Sequence, residues 1–393
     1  MTDAETTRTF PVHTRETLPW VPASGRRAEI PTYDAAIPPL IADLRVTVGG
    51  DTIEHARAAA VEVAVLERNH AGEVTMLEPF LLRTEAIASS RIEEELTTVD
   101  QLARAQLGIR APRTARTVKG AIDGLALMID RAGDGVDLAD ILAAHRPLMA
   151  DDPEEKWHAG ELRTVQNWIG GSHCSPRGAV HVPPAPSRVR GLMDDLVRFM
   201  RRTDLDPIVQ AAVAHAQFES IHPFTDGNGR VGRSLINALW RYRSLTRQMA
   251  VPVASAIVAE RERYFGLVND YRDGHVEPFV LFLADATRRS AREATVSAER
   301  LRELPDVWQE RVHARAGSAV ETLLRLLPQH PVVDAGDVAR LTGVSTARAY
   351  AAIGRLEEAG VLRRITESRR DMAWAAGDVL DEAALMVDRL RFA

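Results

Sequence analysis

The sequence predicts a mainly α-helical protein with one β-hairpin in its middle and a small helix-and-ribbon module at its C-terminal end. Apolar residues recur at three-to-four spacing over long stretches, which is typical of amphipathic helices. A Gly- and Pro-rich segment with a short alternating run interrupts this pattern near residue 170 and favours a hairpin. From residue 318 the helical patterns are shorter and end in a strand-like ribbon.

The bulk composition narrows the class of protein. A length of 393 residues exceeds what one hydrophobic core usually supports, so we expect two or three domains. Hydrophobic residues at 45% and a net charge of only -6 argue against a disordered chain and against polyanion binding through overall charge. Cys174 is the single cysteine, no export signal is evident at the start, and the longest apolar run is too short to span a membrane. We therefore expect a cytoplasmic protein with no membrane partner.

Changes in composition along the chain suggest five regions. The first mixes Thr, Pro and Arg without a sustained period, whereas Ala, Leu, Val and Glu dominate the second. The predicted regions are an extended arm (1–38), an N-terminal helical region (39–110), a helical core (111–290), a helical linker (291–317) and the C-terminal module (318–393).

The segment from His222 to Arg233 reads HPFTDGNGRVGR. The preceding helix should stop at His222, because proline disfavours helical geometry in the residue before it, and the next helix should begin near Gly229. Glycines at 227 and 229 let a ligand approach the main chain at a helix N-terminus, a place that binds phosphate. Arg230 and Arg233 share one helical face, so both guanidinium groups can reach the same phosphate chain.

Two further residues of the segment indicate chemistry. Asp226 would repel phosphates unless a cation intervened, and Mg²⁺ takes one or two carboxylates together with phosphate oxygens. The neutral imidazole of His222 is a natural base for a hydroxyl at pH 7. Each piece alone is usually a plain turn or a solvated face, but their joint order favours activation of a hydroxyl against an Mg-bound nucleotide phosphate.

This segment matches every specified position of the motif HxFx(D/E)GNGRxxR, so the chain resembles the Fic family. Similarity extends from about residue 40 to residue 290, through GELRTVQNWIGGS, VPPAP and EPFVLFLADA. The resemblance implies a helical Fic fold and transfer of AMP from ATP to a hydroxyl side chain of a target protein. ATP would be the substrate and Mg²⁺ the cofactor.

The resemblance also implies roles for individual residues. His222 would be the base and Asp226 the metal ligand, while Tyr264 or Phe265 would flank the adenosine. The residues expected to bind the nucleotide phosphates are Thr225, Gly227, Asn228, Gly229, Arg230 and Arg233.

The predicted hairpin from Gly170 to Pro183 resembles the Fic flap. An exposed strand edge can align an extended target segment through main-chain hydrogen bonds. An ordinary surface hairpin is the alternative. The residues expected to contact the target are Gly171, Ser172, Ala179, Val180, His181 and Val182.

Upstream, the acidic helix EAIASSRIEEEL resembles the inhibitory helix of Fic proteins, whose motif is [S/T]xxxE[G/N]. Ser89 and Glu93 match it, and a carboxylate there would pair with Arg233 where the γ-phosphate should lie. Glu94 stands where the motif has Gly or Asn. This departure leaves open how the helix ends and which carboxylate reaches the arginine.

In the C-terminal module, the order helix, helix, turn, helix and two-strand ribbon predicts a winged helix-turn-helix. Arginines outnumber acids between residues 340 and 370, so DNA is one expected partner. Docking of another protein, including a homodimer partner, is the alternative. The residues expected to contact DNA are Thr346, Arg348, Tyr350, Arg363, Arg364, Arg369 and Arg370.

Two other functions stay open from the sequence. A Fic enzyme could use another donor, such as UTP or a phosphocholine-bearing nucleotide, or could remove AMP with Glu93 positioning water. Alternatively, the chain could be an ATP-sensing, DNA-binding transcription regulator. The intact His222 favours an enzyme, because a sensor needs the phosphate cradle but no base.

Overall fold

The computed structural model describes residues 10–21, 30–172, 174–367 and 371–392. Fifteen α-helices and five short strands lie within this part of the chain, which confirms the predicted mainly α fold. None of the helices found there has the length and apolar character that crossing a membrane would require.

The elements follow one another in a simple order. The first nine helices are α1 (Gly50–Asn69), α2 (Val74–Ile92), α3 (Val99–Gln106), α4 (Arg113–Arg131), α5 (Leu138–Met149), α6 (Pro186–Met200), α7 (Pro207–Ile221), α8 (Asn228–Tyr242) and α9 (Val253–Ala259). They are followed by α10 (Arg261–Arg272), α11 (Glu277–Val312), α12 (Ala319–Leu326), α13 (Ala335–Thr342), α14 (Thr346–Glu358) and α15 (Gly377–Phe392). The strands are β1 (Thr14–Pro19), β2 (Thr32–Ile37), β3 (Val332–Asp334), β4 (Leu362–Arg364) and β5 (Ala373–Ala376).

The chain forms two compact units, each assembled from separate stretches of sequence. Unit 1 comprises residues 1–61, 123–246 and 260–286, and unit 2 comprises residues 62–122, 247–259 and 287–393. Helices α1, α4 and α11 each begin in one unit and end in the other. The predicted regional boundaries at residues 38, 110, 290 and 317 stay a prediction.

In unit 1, α7 is the central helix. Asp206 caps its start by accepting hydrogen bonds from the backbone N–H groups of Ile208 and Val209, and Pro207 occupies the first turn, where its missing N–H costs nothing. Every residue from Ile208 to Ile221 is buried, and helices α6, α8 and α10 pack around it. The segment that follows α7 therefore starts from a fixed support.

Part of the segment predicted to be an extended arm is paired into two strands. β1 and β2 pair antiparallel, with Thr14 opposite Ile37. The backbone N–H of Ala36 donates to the carbonyl of Val182 at 2.8 Å, and the ring of Phe10 lies 5.0 Å from that of Tyr271. These strands are short and largely polar, and they are stabilised by partners distant in sequence, which a local period does not reveal.

In unit 2, the C-terminal elements run α12, β3, α13, α14, β4, β5, and the three strands are ordered β3-β5-β4. A capping box between Asp334 and Asp337 starts α13, and Gly343, with φ 70°, makes the turn that precedes α14. Helix α3 belongs to the same core, since Ala103 packs with Ile365 and Leu380. The C-terminal module is therefore built together with part of the N-terminal helical region.

Candidate functional site

The turn between α7 and α8 has the backbone geometry that the motif predicts. Helix α7 ends at Ile221, His222 adopts a left-handed conformation with φ 49°, and α8 begins at Asn228, one residue before the predicted start. Gly227 also has positive φ, and a Cβ added there would lie 2.9 Å from Cδ2 of Leu148. No side chain caps the start of α8. The first turn of this helix therefore keeps its N–H groups available for an anion.

Two buried arginines face this turn. Arg230 is 4% exposed and Arg233 is fully buried. Nη2 of Arg230 lies 3.3 Å from Oδ2 of Asp226, while its Nε and Nη1 are buried without a hydrogen-bond partner. Burying unsatisfied charged donors is costly, so the arrangement favours occupation by an anion such as phosphate.

Asp226 is suited to a cation shared with a ligand. Its side chain is 53% exposed, and Oδ1 accepts the N–H of Gly227 at 2.6 Å. No group of three or more His, Cys, Asp or Glu residues that could hold a metal occurs in the described ranges. A single carboxylate fits Mg²⁺ that completes its shell with phosphate oxygens and water.

His222 is held by two side-chain amides. Its Nδ1 lies 3.0 Å from Nδ2 of Asn167 and 3.2 Å from Nδ2 of Asn228. Burial, together with the positive charges of Arg163 and Arg272, lowers the pKa of His222 to about 3. The ring is therefore neutral at pH 7, and its Nε2 is the nitrogen left for a substrate.

Arg163 supports the left-handed turn, and sequence reasoning gave it no role. Its Nε donates to the carbonyl of His222 at 2.8 Å, and its backbone N–H donates to the carbonyl of Pro223 at 2.9 Å. Nη2 also donates to the carbonyl of Pro184 at 2.6 Å. The buried guanidinium of Arg163 thus joins the turn between α7 and α8 to the residue that follows the flap.

His145 supports the same turn from the other side, and it too was missed. Its ring stacks on Phe224 with centroids 3.8 Å apart. Nδ1 accepts the N–H of Gly160 at 2.9 Å, so the ring proton is on Nε2, which donates to the carbonyl of Asp226 at 3.1 Å. Burial lowers its pKa to about 4, which keeps the ring neutral in this role.

The hydroxyl of Thr225 already has a partner within the protein. Its Oγ1 donates to the carboxylate of Glu155, which lies in a short 3-10 turn after α5. Any contact of this hydroxyl with a nucleotide is therefore shared with a carboxylate that sequence reasoning did not identify.

The expectation that Tyr264 flanks adenosine needs correction. Tyr264 is 1% exposed, and its hydroxyl lies 2.9 Å from Nε2 of His215. Its ring packs against Phe279 and Phe282, so it is a core residue. Phe265 is the exposed member of the pair, with Arg261 over its ring at 5.2 Å. A helix buries one of two adjacent aromatics, and the letters alone do not say which.

The predicted flap forms a minimal hairpin, in which one antiparallel bridge pairs Ile169 with His181 and residues 179–182 do not extend it into a strand. Gly171 makes the tight turn, since a Cβ there would lie 2.6 Å from the carbonyl carbon of Gly178.

The residues of the flap segment differ in their exposure and in the hydrogen bonds that they already make. The carbonyl of Val182 is already taken by Ala36 of β2, so that end of the edge is not open to a target. Val180 is 66% exposed, whereas His181 is buried and its Nε2 contacts the carbonyl of Ser220 at 2.9 Å. His181 therefore supports the core and does not face a target.

The C-terminal end of α2 shows how the helix ends at Glu94. The N–H of Glu95 donates to the carbonyl of Ser90, and the N–H of Glu94 donates to that of Arg91, which is a Schellman motif. Glu94 has φ 63°, the left-handed conformation that favours Gly or Asn. The helix therefore ends with Glu93 as its C-cap, and glutamate at position 94 adds strain without moving the end.

The residues expected to contact DNA are partly in place. Thr346, Arg348 and Tyr350 are exposed on α14. Arg363 pairs with Asp100 of α3 and lies 3.9 Å from Asp381, so its guanidinium already has carboxylate partners and its contact with phosphate stays a prediction. Arg364 is exposed, and Arg369 and Arg370 lie outside the described residues.

Comparison with known proteins gives one family. A model of the Fic/DOC family matches residues 135–240. A protein adenylyltransferase Fic from Drosophila erecta is 33% identical over 159 residues, which are 39% of this chain and 28% of the relative. The protein of the same name from Aedes aegypti is 33% identical over 161 residues, 40% of this chain and 29% of its own. The chain thus spans less than a third of these relatives.

Solved structures agree on the fold. A Fic family protein from Desulfovibrio desulfuricans G20 aligns with a TM-score of 0.53 at 24% identity, covering 84% of this chain and 97% of the other. A Fic domain containing signaling protein from Bacteroides thetaiotaomicron VPI-5482 aligns with a TM-score of 0.50 at 20% identity, covering 63% and 97%.

Proposed function

We propose that the chain is a Fic family enzyme that transfers AMP from ATP to a hydroxyl side chain of a target protein, since a model of the Fic/DOC family matches residues 135–240. The observation that carries the proposal is the meeting, in one turn, of the neutral imidazole of His222 and the buried guanidinium groups of Arg230 and Arg233. Relatives that share this domain are named protein adenylyltransferases, which supports the same reaction class.

Each residue of the turn has a part in this reaction. Arg230 and Arg233 bind the β- and γ-phosphates, and the backbone at Gly227 and Gly229 lets the phosphate chain approach. Mg²⁺ held by Asp226 would neutralise charge on the phosphates that leave as pyrophosphate. His222 accepts the proton of the target hydroxyl, so the oxygen can attack the α-phosphorus.

The hydrogen bonds at Nδ1 of His222 do not match the tautomer that this proton transfer needs. With both amide nitrogens facing Nδ1, the neutral ring carries its proton on Nε2, whereas a base acting at Nε2 needs that proton on Nδ1. Asn228 is fixed, because its Oδ1 accepts the N–H of Phe224 at 2.8 Å. Oδ1 of Asn167 is buried without a partner. We assign to Asn167 the role of presenting its oxygen to Nδ1 when a target is engaged, which requires its amide to rotate and release the hydrogen bond that Nδ2 donates to the carbonyl of Phe224 at 2.9 Å.

The helix α2 provides the proposed restraint. Ser89 is buried and Glu93 caps the helix end, which is the arrangement of the inhibitory motif. We propose that Glu93 competes with the γ-phosphate for Arg233. Glu93→Gly should then raise self-labelling by radiolabelled ATP, with Glu95→Gly as the matched control. Labelling of the Glu93 variant that is no higher than that of the control would remove the restraint.

The donor is tested by a nucleotide panel. Purified protein is incubated with ATP, UTP and a phosphocholine-bearing nucleotide, and the products are identified by mass spectrometry. The proposal expects adducts of AMP from ATP and no UMP or phosphocholine adducts. A UMP or phosphocholine adduct, or release of AMP from a modified protein, would identify one of the alternative Fic reactions.

We further propose that the C-terminal module is a winged helix-turn-helix whose partner is DNA or a second protein, including another copy of the chain. The order of its elements and the exposed start of α14 support this. Arg348 of α14 and Arg364 of the ribbon are exposed arginines that would meet such a partner. Salt-dependent DNA binding without AMP transfer would instead favour the ATP-sensing regulator. A cytoplasmic location is part of the proposal.

A further inference from the structure

A second buried arginine with an unsatisfied nitrogen lies in unit 2. Arg83 of α2 is 7% exposed, and its Nε is buried with no hydrogen-bond partner among the described residues. Burial lowers the pKa of Arg83 to about 10. A guanidinium in this position remains positively charged at neutral pH.

Arg83 opens into a cavity of about 250 Å³. The cavity is formed by three stretches of unit 2 that are far apart in sequence: α2, the C-terminal end of α3, and the segment from Gln329 to Leu341. Its polar lining consists of Arg83, Gln106, Gln329, His330, Asp337 and Arg340.

The charges of the lining leave a positive excess. Asp337 is the one carboxylate among the lining residues, and it is already engaged, by Arg340 at 2.7 Å and by the N–H of Asp334 at 3.2 Å. Arg83 is thus uncompensated, and the amides of Gln106 and Gln329 add hydrogen-bond donors without adding negative charge. Such a lining suits a small oxyanion, which an Arg can bind with two parallel hydrogen bonds.

We propose that this cavity binds a small oxyanion, of the phosphate or carboxylate class, through Arg83. The motif at residues 222–233 plays no part in this site. Because Arg83 and Glu93 lie on the same helix, a bound anion would connect the helix of the proposed restraint to the C-terminal module.

The test measures the thermal unfolding of the full chain with inorganic phosphate, with acetate, and with sodium chloride at matched ionic strength. Phosphate could also reach the turn before α8, so three proteins are compared: the wild type, Arg83→Met and Arg230→Met. Methionine keeps most of the volume of the arginine stem while removing the charge. At a phosphate concentration ten times Kd, the unfolding equilibrium constant should fall about tenfold.

The proposal expects a phosphate or acetate response in the wild type that Arg83→Met reduces and Arg230→Met retains. The more stabilising of the two probes identifies the anion class. An equal response in Arg83→Met and the wild type would overturn the site, as would a response that sodium chloride reproduces. If Arg83→Met does not fold, Gln106→Leu and Arg340→Gln replace it, and an unchanged affinity in both would have the same meaning. None of these readouts depends on AMP transfer, so failure here leaves the proposed function intact.

Discussion

The turn at residues 222–233 and the cavity at Arg83 are both places where the fold buries arginine without enough protein partners. In the turn, Arg230 leaves Nε and Nη1 unsatisfied, and in the cavity Arg83 leaves Nε unsatisfied. The turn is built from twelve consecutive residues, whereas the cavity is assembled from three distant stretches. A local motif can therefore reveal the first site, but only the three-dimensional structure reveals the second.

The contrast also concerns chemistry. The turn combines its arginines with an imidazole and an exposed carboxylate, so it can bind a phosphate chain and also move a proton. The lining of the cavity suits the binding of an anion. Its imidazole is that of His330, whose pKa is lowered by burial and by Arg340. We therefore expect a substitution in one site to leave ligand binding at the other site unchanged.

The largest expected effect is that of His222→Ala, which removes the base of the turn. Transfer of AMP should fall on the order of 10²-fold or more, because His222 is the proposed general base. Binding of ATP should survive, and so should the phosphate response of Arg83. Radiolabelled ATP measures the transfer and calorimetry the binding. Transfer at the wild-type rate would show that the base lies elsewhere.

The next effect is that of Arg230→Met on nucleotide affinity. Loss of a charge-assisted contact to phosphate should weaken ATP binding by roughly 10- to 100-fold. AMP, which lacks the β- and γ-phosphates, serves as the control ligand, and its affinity should change little. A parallel loss for AMP and ATP would mean that Arg230 maintains the turn and does not bind those phosphates. Arg83→Met should leave both affinities unchanged.

Substitutions of Asn167 test whether the site extends beyond the motif. Asn167→Leu leaves Nδ1 of His222 facing only the amide of Asn228, so kcat should fall by about tenfold with KM for ATP unchanged. Asn167→Asp supplies a permanent acceptor and should restore kcat. Its carboxylate should also raise the pKa of His222 from about 3, so transfer should decline at a higher pH on acidification. Identical pH profiles for the wild type and Asn167→Asp would contradict this role.

The smallest effect concerns α2, the helix that carries both Arg83 and Glu93. Glu94→Gly removes a side chain from a left-handed position and should raise the free energy of unfolding by about 1 kcal/mol. Chemical denaturation measures this value, and Glu95→Gly is the matched control. A loss of stability would show that contacts of the Glu94 side chain outweigh the strain.

How far the sequence was informative depends on whether a residue acts through its neighbours in the chain. The end of α7 at His222 and the start of α8 follow from Pro223 and the glycines, and the prediction was off by one residue. Arg163 and His145 could not be found in this way, because they meet the turn only after folding. Their hydrogen bonds go to backbone carbonyls, which leave no trace in the motif.

The errors have similar physical causes. Tyr264 and Phe265 are adjacent aromatics, and the packing of α10 decides which one is buried. The flap was expected to expose an edge, but β2, which was not predicted, occupies part of it through Ala36. At Glu94 the sequence left the end of the helix open, and the Schellman hydrogen bonds of α2 impose the left-handed conformation even on a glutamate.

The most direct test of AMP transfer at His222 uses ATP labelled either at the α-phosphate or at the γ-phosphate. The protein is incubated with each, in the Glu93→Gly form and in the form that also carries His222→Ala. The account predicts that protein becomes labelled from α-labelled ATP only, and that His222→Ala abolishes the label. Label that arrives from the γ-phosphate, or α-label that persists without His222, would contradict it.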